Sequence, residues 1–195
     1  MKRNIIAALI LSAMMVTLMT GCACNHEWRN ATCTAPKTCA KCGETEGIPL
    51  GHVWTEATST MPATCLVCRE MQALPLPASG QVFIGADLYC ESYLTITCSS
   101  NDSCYIKLKD EGKNDVFSFF VRSGDTVEVP VPAETLYAYF SYGKDWYGPE
   151  YVFGPGTSYG MDDEPLDLYN YEYTYTLQPV TDGNFSETPI DADDF

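Results

Sequence analysis

The sequence predicts a mainly β protein in two parts, a small cysteine-rich repeat module followed by an antiparallel β-sandwich, and three observations predict it. The first is a break in composition near residue 76: all thirteen tyrosines and all eight phenylalanines follow it, whereas seven of the ten cysteines and both histidines precede it. The second is an internal repeat, residues 26–42 matching 52–68 at a shift of 26 positions. The third is a succession of short β-branched and aromatic runs after residue 80, none with a 3.6-residue apolar stripe. A chain of 195 residues has room for one ordinary domain plus such a small module.

The first element is an export signal. Met1-Lys2-Arg3-Asn4 is a short basic start, and residues 5–19 are an apolar run too short to span a bilayer comfortably. Leu18-Met19-Thr20-Gly21-Cys22 resembles the bacterial lipobox, with Met19 in place of the usual branched aliphatic residue. The resemblance implies removal of residues 1–21, lipidation of Cys22 and anchorage on the extracytoplasmic face of the cell membrane. More than one acyl chain, at about 0.8 kcal/mol per buried methylene, would hold where a single chain is marginal. An ordinary secretory signal cut elsewhere is the alternative.

Residues 22–73 form the repeat module. Its two copies pair His26 with His52, Trp28 with Trp54, Pro36 with Pro62, and Cys39 and Cys42 with Cys65 and Cys68. Each Cys-x-x-Cys follows a histidine at the same interval, the arrangement by which a tight knuckle and a distant third donor reach a tetrahedral zinc ion. With Cys24 and Cys33 the candidates are Cys24, His26, Cys33, Cys39, Cys42, His52, Cys65 and Cys68, eight donors for two closed, structural zinc sites per chain. Too few apolar residues lie here to bury a core, so coordination would supply much of the folding free energy. A disulfide framework is the alternative in an exported protein, but it accounts for neither histidine nor its fixed spacing. Trp28 and Trp54 read as the apolar plug of each copy, with an exposed ligand face as the alternative.

These residues resemble short zinc-ribbon-like repeats of exported Gram-positive proteins, with a pattern close to G-H-x-W-x-x-A-T-C-x-x-P-x-T-C-x-x-C-G. The resemblance covers about a quarter of the chain and implies zinc with an accessory or spacer role. Ser59 stands where the third cysteine of the second copy belongs, and Arg69 replaces its final glycine. Three divisions of the donors balance. Sites closing within each repeat leave the second short of a cysteine unless Cys24 crosses over. An interleaved division gives Cys24, His26, Cys39 and Cys42 against Cys33, His52, Cys65 and Cys68. A third sets Cys33, Cys39, Cys42 and His52 against Cys24, His26, Cys65 and Cys68. Interleaving explains both Cys24 and Ser59 with one rule.

Residues 74–80 read as a stiff Pro-rich linker. The β-sandwich is expected over 81–187, with strands near 81–86, 93–98, 104–109, 116–121, 126–131, 135–142 and 169–177, followed by an acidic tail at 188–195. Its expected core includes Val82, Ile84, Leu94, Ile96, Ile106, Leu108, Phe117, Phe119, Val121, Val127 and Val129. Residues 120–127 and 146–154 resemble stretches of an uncharacterised domain attached to such zinc repeats, which implies a sandwich and no catalytic residues. Tyr169, Tyr171, Tyr173 and Tyr175 alternate on one face, either filling the sandwich or stacking on sugars or peptides. The loop carrying Trp146, Tyr147, Tyr151 and Phe153 is the candidate ligand surface, with a cover over the sandwich end as the alternative. Asp162, Asp163, Glu164 and Asp167 lack calcium-loop spacing and read as a solvated acidic turn. Cys90, Cys98 and Cys104 allow either a Cys98 to Cys104 disulfide or three buried thiols.

A net charge of −15, or −17 once Lys2 and Arg3 are removed, repels polyanions and argues against nucleic-acid binding. Both histidines are committed to metal and no nucleophile lies in a recognisable triad, so no catalysis is expected. The expected function is a membrane-anchored, zinc-stabilised surface lipoprotein serving as a binding or accessory module for an unknown protein or glycan. The alternative is extracytoplasmic zinc handling for metal homeostasis.

Overall fold

A computed structural model describes residues 24–99, 101–177 and 187–195, so the leader and Cys22 lie outside the described residues. Secondary structure in these residues is strand with one 3-10 turn, Gly154–Gly156. The chain divides into two compact units whose boundary falls between Gly51 and His52.

In the first unit, β1 (Trp28–Arg29), β2 (Lys37–Cys39) and β3 (Thr45–Glu46) form a small antiparallel sheet that pairs Trp28 with Cys39 and Thr38 with Thr45. Among the described residues it has no apolar core. Cys33 and Cys39 are its buried side chains, while Ile48 and Leu50 are exposed. What holds so short a sheet must therefore be the cysteines and histidine themselves.

The second unit opens with the second repeat, whose isolated bridges Trp54 to Cys65 and Thr64 to Met71 reproduce the first sheet's register 26 positions on. Residues 74–80, expected as a linker, are laid along the β-domain. The Leu74 amide donates to Trp146 O (2.7 Å), and Arg122 donates to Pro77 O through Nε (2.7 Å) and to Leu76 O through its guanidinium (2.8 Å). Gly80 N reaches Phe120 O at 2.8 Å. The carbonyls of a Pro-rich segment remain good acceptors, and Arg122 collects two of them.

The β-domain contains β4 (Val82–Ile84), β5 (Ser92–Cys98), β6 (Ser103–Lys109), β7 (Asp115–Val121), β8 (Thr126–Val131), β9 (Thr135–Gly143), β10 (Ser158–Asp162), β11 (Leu166–Asp167), β12 (Tyr173–Leu177) and β13 (Glu187–Pro189). One sheet runs β13-β10-β9-β6-β7-β4 with β11 also on β9, and the other runs β12-β5-β8. Leu94, Ile96 and Val129 from the small sheet meet Ile106, Leu108, Phe117, Phe119 and Phe140 from the large one in a single apolar layer. This is the β-sandwich. Ile84, expected in that core, is only half-buried.

Three features depart from the sequence reading. β12 pairs parallel with β5, Tyr173 beside Leu94 and Leu177 beside Cys98, on the edge that the antiparallel β8 leaves open. β10, β11 and β13 arise in stretches without β-like alternation. The large sheet is also apolar on its outer face, where Tyr105, Phe120, Tyr139, Trp146, Val152, Phe153 and Phe195 form a second core. Alternation along β7 thus buries both sets, Phe117 and Phe119 inward, Ser118 and Phe120 outward.

Candidate metal centres

The donors are set by two copies of the same local structure. In the first, Cys39 N donates to Glu44 O (2.7 Å) and Gly43 N to Cys39 O (3.0 Å), closing a knuckle around Cys39 and Cys42. In the second, Cys65 N donates to Glu70 O (2.8 Å) and Arg69 N to Cys65 O (3.0 Å). The knuckle needs a left-handed residue, supplied by Gly43 at φ 75° and by Arg69 at φ 66°. Each histidine ring stacks on the tryptophan two residues on, with centroids 5.0 Å apart for His26 and Trp28 and 4.8 Å for His52 and Trp54. The tryptophans are thus supports for the histidines.

Cys24, His26, Cys39 and Cys42 bring their ligand atoms within 4.8 Å of one another, and Cys33, His52, Cys65 and Cys68 do likewise. This is the interleaved division. Cys33 is delivered along the chain, since Gly51 N donates to Cys33 O (3.1 Å) and His52 is the next residue. Ser59, the position equivalent to Cys33, is exposed and belongs to neither group.

The spacing fits four-coordinate metal. Metal–sulfur bonds of about 2.3 Å and metal–nitrogen bonds of about 2.0 Å put tetrahedral S–S edges at about 3.8 Å and S–N edges at about 3.5 Å. Cys24 Sγ lies 4.0 Å from Cys39 Sγ, Cys42 Sγ lies 3.5 Å from His26 Nδ1, and Cys68 Sγ lies 3.4 Å from His52 Nδ1. A disulfide requires about 2.05 Å, and none of the nine described cysteines is in a disulfide. Each group is a three-cysteine, one-histidine set able to hold a metal ion.

With Nδ1 facing the thiols, Nε2 is left to a carboxylate: His26 Nε2 lies 3.5 Å from Glu44 Oε2, and His52 Nε2 lies 3.5 Å from Glu70 Oε2. Such a carboxylate fixes the tautomer and strengthens the ring as a donor. Glu44 and Glu70 were not among the residues singled out from the sequence. The signal was present, since they continue the same 26-residue shift two positions past the last cysteine.

The thiols are unequal. Burial acts to raise Cys39, but the backbone N–H groups of Cys42 and Lys41, together with the His26 ring, outweigh it and bring the thiol down to about 5. The Cys68 N–H brings Cys65 down to about 5 against its burial, helped by Val67 N–H and the His52 ring. Burial, then hydrogen bonds with Cys42 and Cys39, pushes Cys24 up to about 12. Donors packed this closely cannot all ionise unless a cation lies among them.

The candidate ligand loop is in part a cover, and its Tyr147 and Phe153 also line a cleft of about 320 Å³ with Asp102, Lys144 and Asp145. Trp146 and Phe153 are buried in the outer core, Trp146 packing against Tyr105 and Phe120 at 5.3 and 5.1 Å between centroids. Tyr147 is half-buried, and Tyr151 alone of the four is exposed. The tyrosine stripe divides instead. Tyr175 is buried with its hydroxyl donating to Asp162 Oδ2 (2.5 Å), while Tyr169 and Tyr171 are exposed and line a cleft of about 400 Å³ with Glu91, Ser92, Asn170 and Glu172. Asp162 is thus buried rather than solvated, its carboxylate bonded to Tyr175 and to Glu164 N. Cys98 and Cys104 are buried thiols in the inner core.

Fold and site together define a mainly β protein whose two small repeats carry three-cysteine, one-histidine clusters able to hold metal ions. No protein-family model matches the chain, and it matches no curated protein and no solved structure.

Proposed function

We propose that the protein is a lipid-anchored, zinc-stabilised extracytoplasmic module that presents its β-sandwich for binding to a protein or glycan partner at the cell surface. The observation that carries the zinc reading is the completeness of each cluster: four donors at tetrahedral spacing leave no position for water or substrate, as in structural zinc sites. The anchor reading rests on Leu18 to Cys22. Both histidines belong to the clusters, so the same reading assigns no catalysis. The cleft beside Tyr169 and Tyr171 is the favoured ligand surface, because exposed tyrosines offer flat apolar faces beside the polar Asn170 and Glu172.

Elemental analysis of purified protein is expected to give two zinc ions per chain. Cys22→Ser is expected to move the protein from the detergent to the aqueous phase and to abolish acyl labelling; unchanged partitioning overturns the anchor.

One observation favours zinc handling as a second reading. Cys42 and Cys68 are the exposed donors of their clusters, the positions at which an acceptor's ligand would bond to the metal ion and displace a thiolate. Metal off-rate separates the two: retention over hours marks structural zinc, and exchange within seconds marks delivery.

A further inference from the structure

The cleft beside Tyr169 and Tyr171 has a buried polar group on its wall. Ser92, at the start of β5, is 6% exposed and lines that cleft, and among the described residues its hydroxyl makes no hydrogen bond. Sealed polar side-chain atoms among the described residues all have partners, so this hydroxyl opens into the cleft. Whatever occupies the cleft, water or ligand, completes it.

The wall around it is fixed. Leu168 is buried and its amide donates to Glu134 O (3.1 Å). The turn that follows is tied to Asp167, which accepts from Tyr171 N on its carbonyl (3.2 Å) and from Asn170 Nδ2 on its carboxylate (2.7 Å), while Asp167 N donates to Tyr173 Oη (3.0 Å). Tied in this way, the turn holds Tyr169 and Tyr171 out at 69% and 64% exposure.

The lining includes two carboxylates, Glu91 and Glu172, and no base. All five bases beyond residue 76 are placed elsewhere: Lys107 and Lys109 lie 3.0 and 3.6 Å from Asp115, Lys113 lies 3.7 Å from Asp194, Arg122 holds the carbonyls of Leu76 and Pro77, and Lys144 lines the cleft beside Tyr147. Glu91 accepts from the Tyr89 hydroxyl, which raises that phenol above its ordinary range. These carboxylates do not gather around a metal ion, since among the described residues the groups of three or more metal donors are the two cysteine–histidine clusters. The uncompensated charge therefore suits an organic cation, and twenty-one acids against five bases beyond residue 76 extend the attraction outward.

Resting on the reading of this cleft as the ligand surface, we propose that its ligand is an arginine side chain carried by a basic peptide segment of a partner protein. Guanidinium is the cation whose shape uses every wall. It is flat, so it stacks on a tyrosine face, and forked, so its five N–H groups serve Glu91, Glu172 and the Ser92 hydroxyl oxygen together. A lysine ammonium brings the charge without the stacking plane, and a neutral sugar stacks on tyrosine but gains nothing from the charge. A volume of about 400 Å³ suits one long side chain with its flanking backbone.

The test measures, by fluorescence anisotropy, the binding of Gly/Ser peptides carrying two arginines, two lysines or two citrullines at the same positions to the full-chain protein. The arginine peptide is expected to bind most tightly, the lysine peptide several-fold more weakly, and the uncharged citrulline peptide about tenfold or more weakly than arginine. Raising salt from about 0.1 M to about 1 M should weaken the arginine peptide several-fold. Glu91→Gln/Glu172→Gln and Tyr169→Ala/Tyr171→Ala are each expected to lose about tenfold or more, and Ser92→Ala several-fold, with the circular dichroism spectrum unchanged. Glu111→Gln/Glu150→Gln removes the same charge from exposed positions elsewhere and is expected to bind as wild type does. Lysine or citrulline peptide binding as tight as that of arginine, or equal loss in the two charge-matched pairs, overturns the proposal. If an N-acetylglucosamine tetramer binds and depends on Tyr169 and Tyr171 while the arginine peptide does not bind, the cleft is a glycan site and only the arginine assignment falls. If neither peptide nor saccharide binding responds to Tyr169→Ala/Tyr171→Ala, the cleft falls as the ligand surface as well.

Discussion

The repeats and the β-domain solve the same problem, the loss of chain entropy on folding, by opposite means. In residues 24–72 the buried side chains are few and are mostly the proposed ligands themselves, Cys33, Cys39 and Cys65, with Pro62 and Ala63. In the β-domain a residue such as Phe119 or Ile106 is one of many in a continuous layer. Stability in the first region therefore rests on single atoms, and in the second it is distributed. The difference teaches where each region is fragile: to a chelator or to one thiol in the first, to a cavity in the second.

The largest effect should come from removing metal. Chelation is expected to collapse amide dispersion across 24–72 while resonances of the large and small sheets persist; simultaneous loss of both would mean that the β-domain also depends on the metal. Phe119→Ala should do the reverse, destabilising the β-domain by about 3–5 kcal/mol through the cavity it leaves with two metal ions still bound. Cys33→Ser is expected to disturb ligation by His52 and spare His26 in a cobalt-substituted protein. Loss at His26 with His52 untouched would contradict the interleaved clusters. Glu70→Gln should weaken metal binding at the second site about 10–100-fold, an effect that a merely exposed glutamate would not produce.

The same contrast explains what was legible in the sequence. Metal donors must recur at fixed spacing, so the ligand set and its interleaving followed from His26, His52 and the missing cysteine at Ser59. Glu44 and Glu70 escaped because the comparison of repeats stopped at the last cysteine. Alternation revealed Leu94, Ile106, Phe117 and Phe119, since one buried face imposes a period of two. It could not reveal the outer core, whose cover comes from Trp146, Phe153 and Phe195, far along the chain from Tyr105. Nor does alternation name a partner strand, which is why β12 beside β5 was unforeseen. β10 was hidden by Gly160, whose missing side chain looks like a turn signal and instead makes room for Glu187.

The smallest effect is the sharpest test of the claim that one backbone atom matters in the knuckles. Gly43 and Arg69 occupy the same left-handed position, with the same 3.0 Å hydrogen bond to the carbonyl of the first cysteine. An L side chain there costs about 1 kcal/mol or more, which glycine avoids. Glycine also loosens the unfolded chain, returning about 0.4–1 kcal/mol of that gain. Arg69→Gly should therefore strengthen metal retention at the second site by a few-fold at most, read as slower transfer to a chelator, with the first site unchanged. Gly43→Arg should weaken the first site by a similar factor and leave the second alone. If Arg69→Gly weakens the second site, the arginine side chain has a role there that outweighs its backbone strain, and the two knuckles are not equivalent.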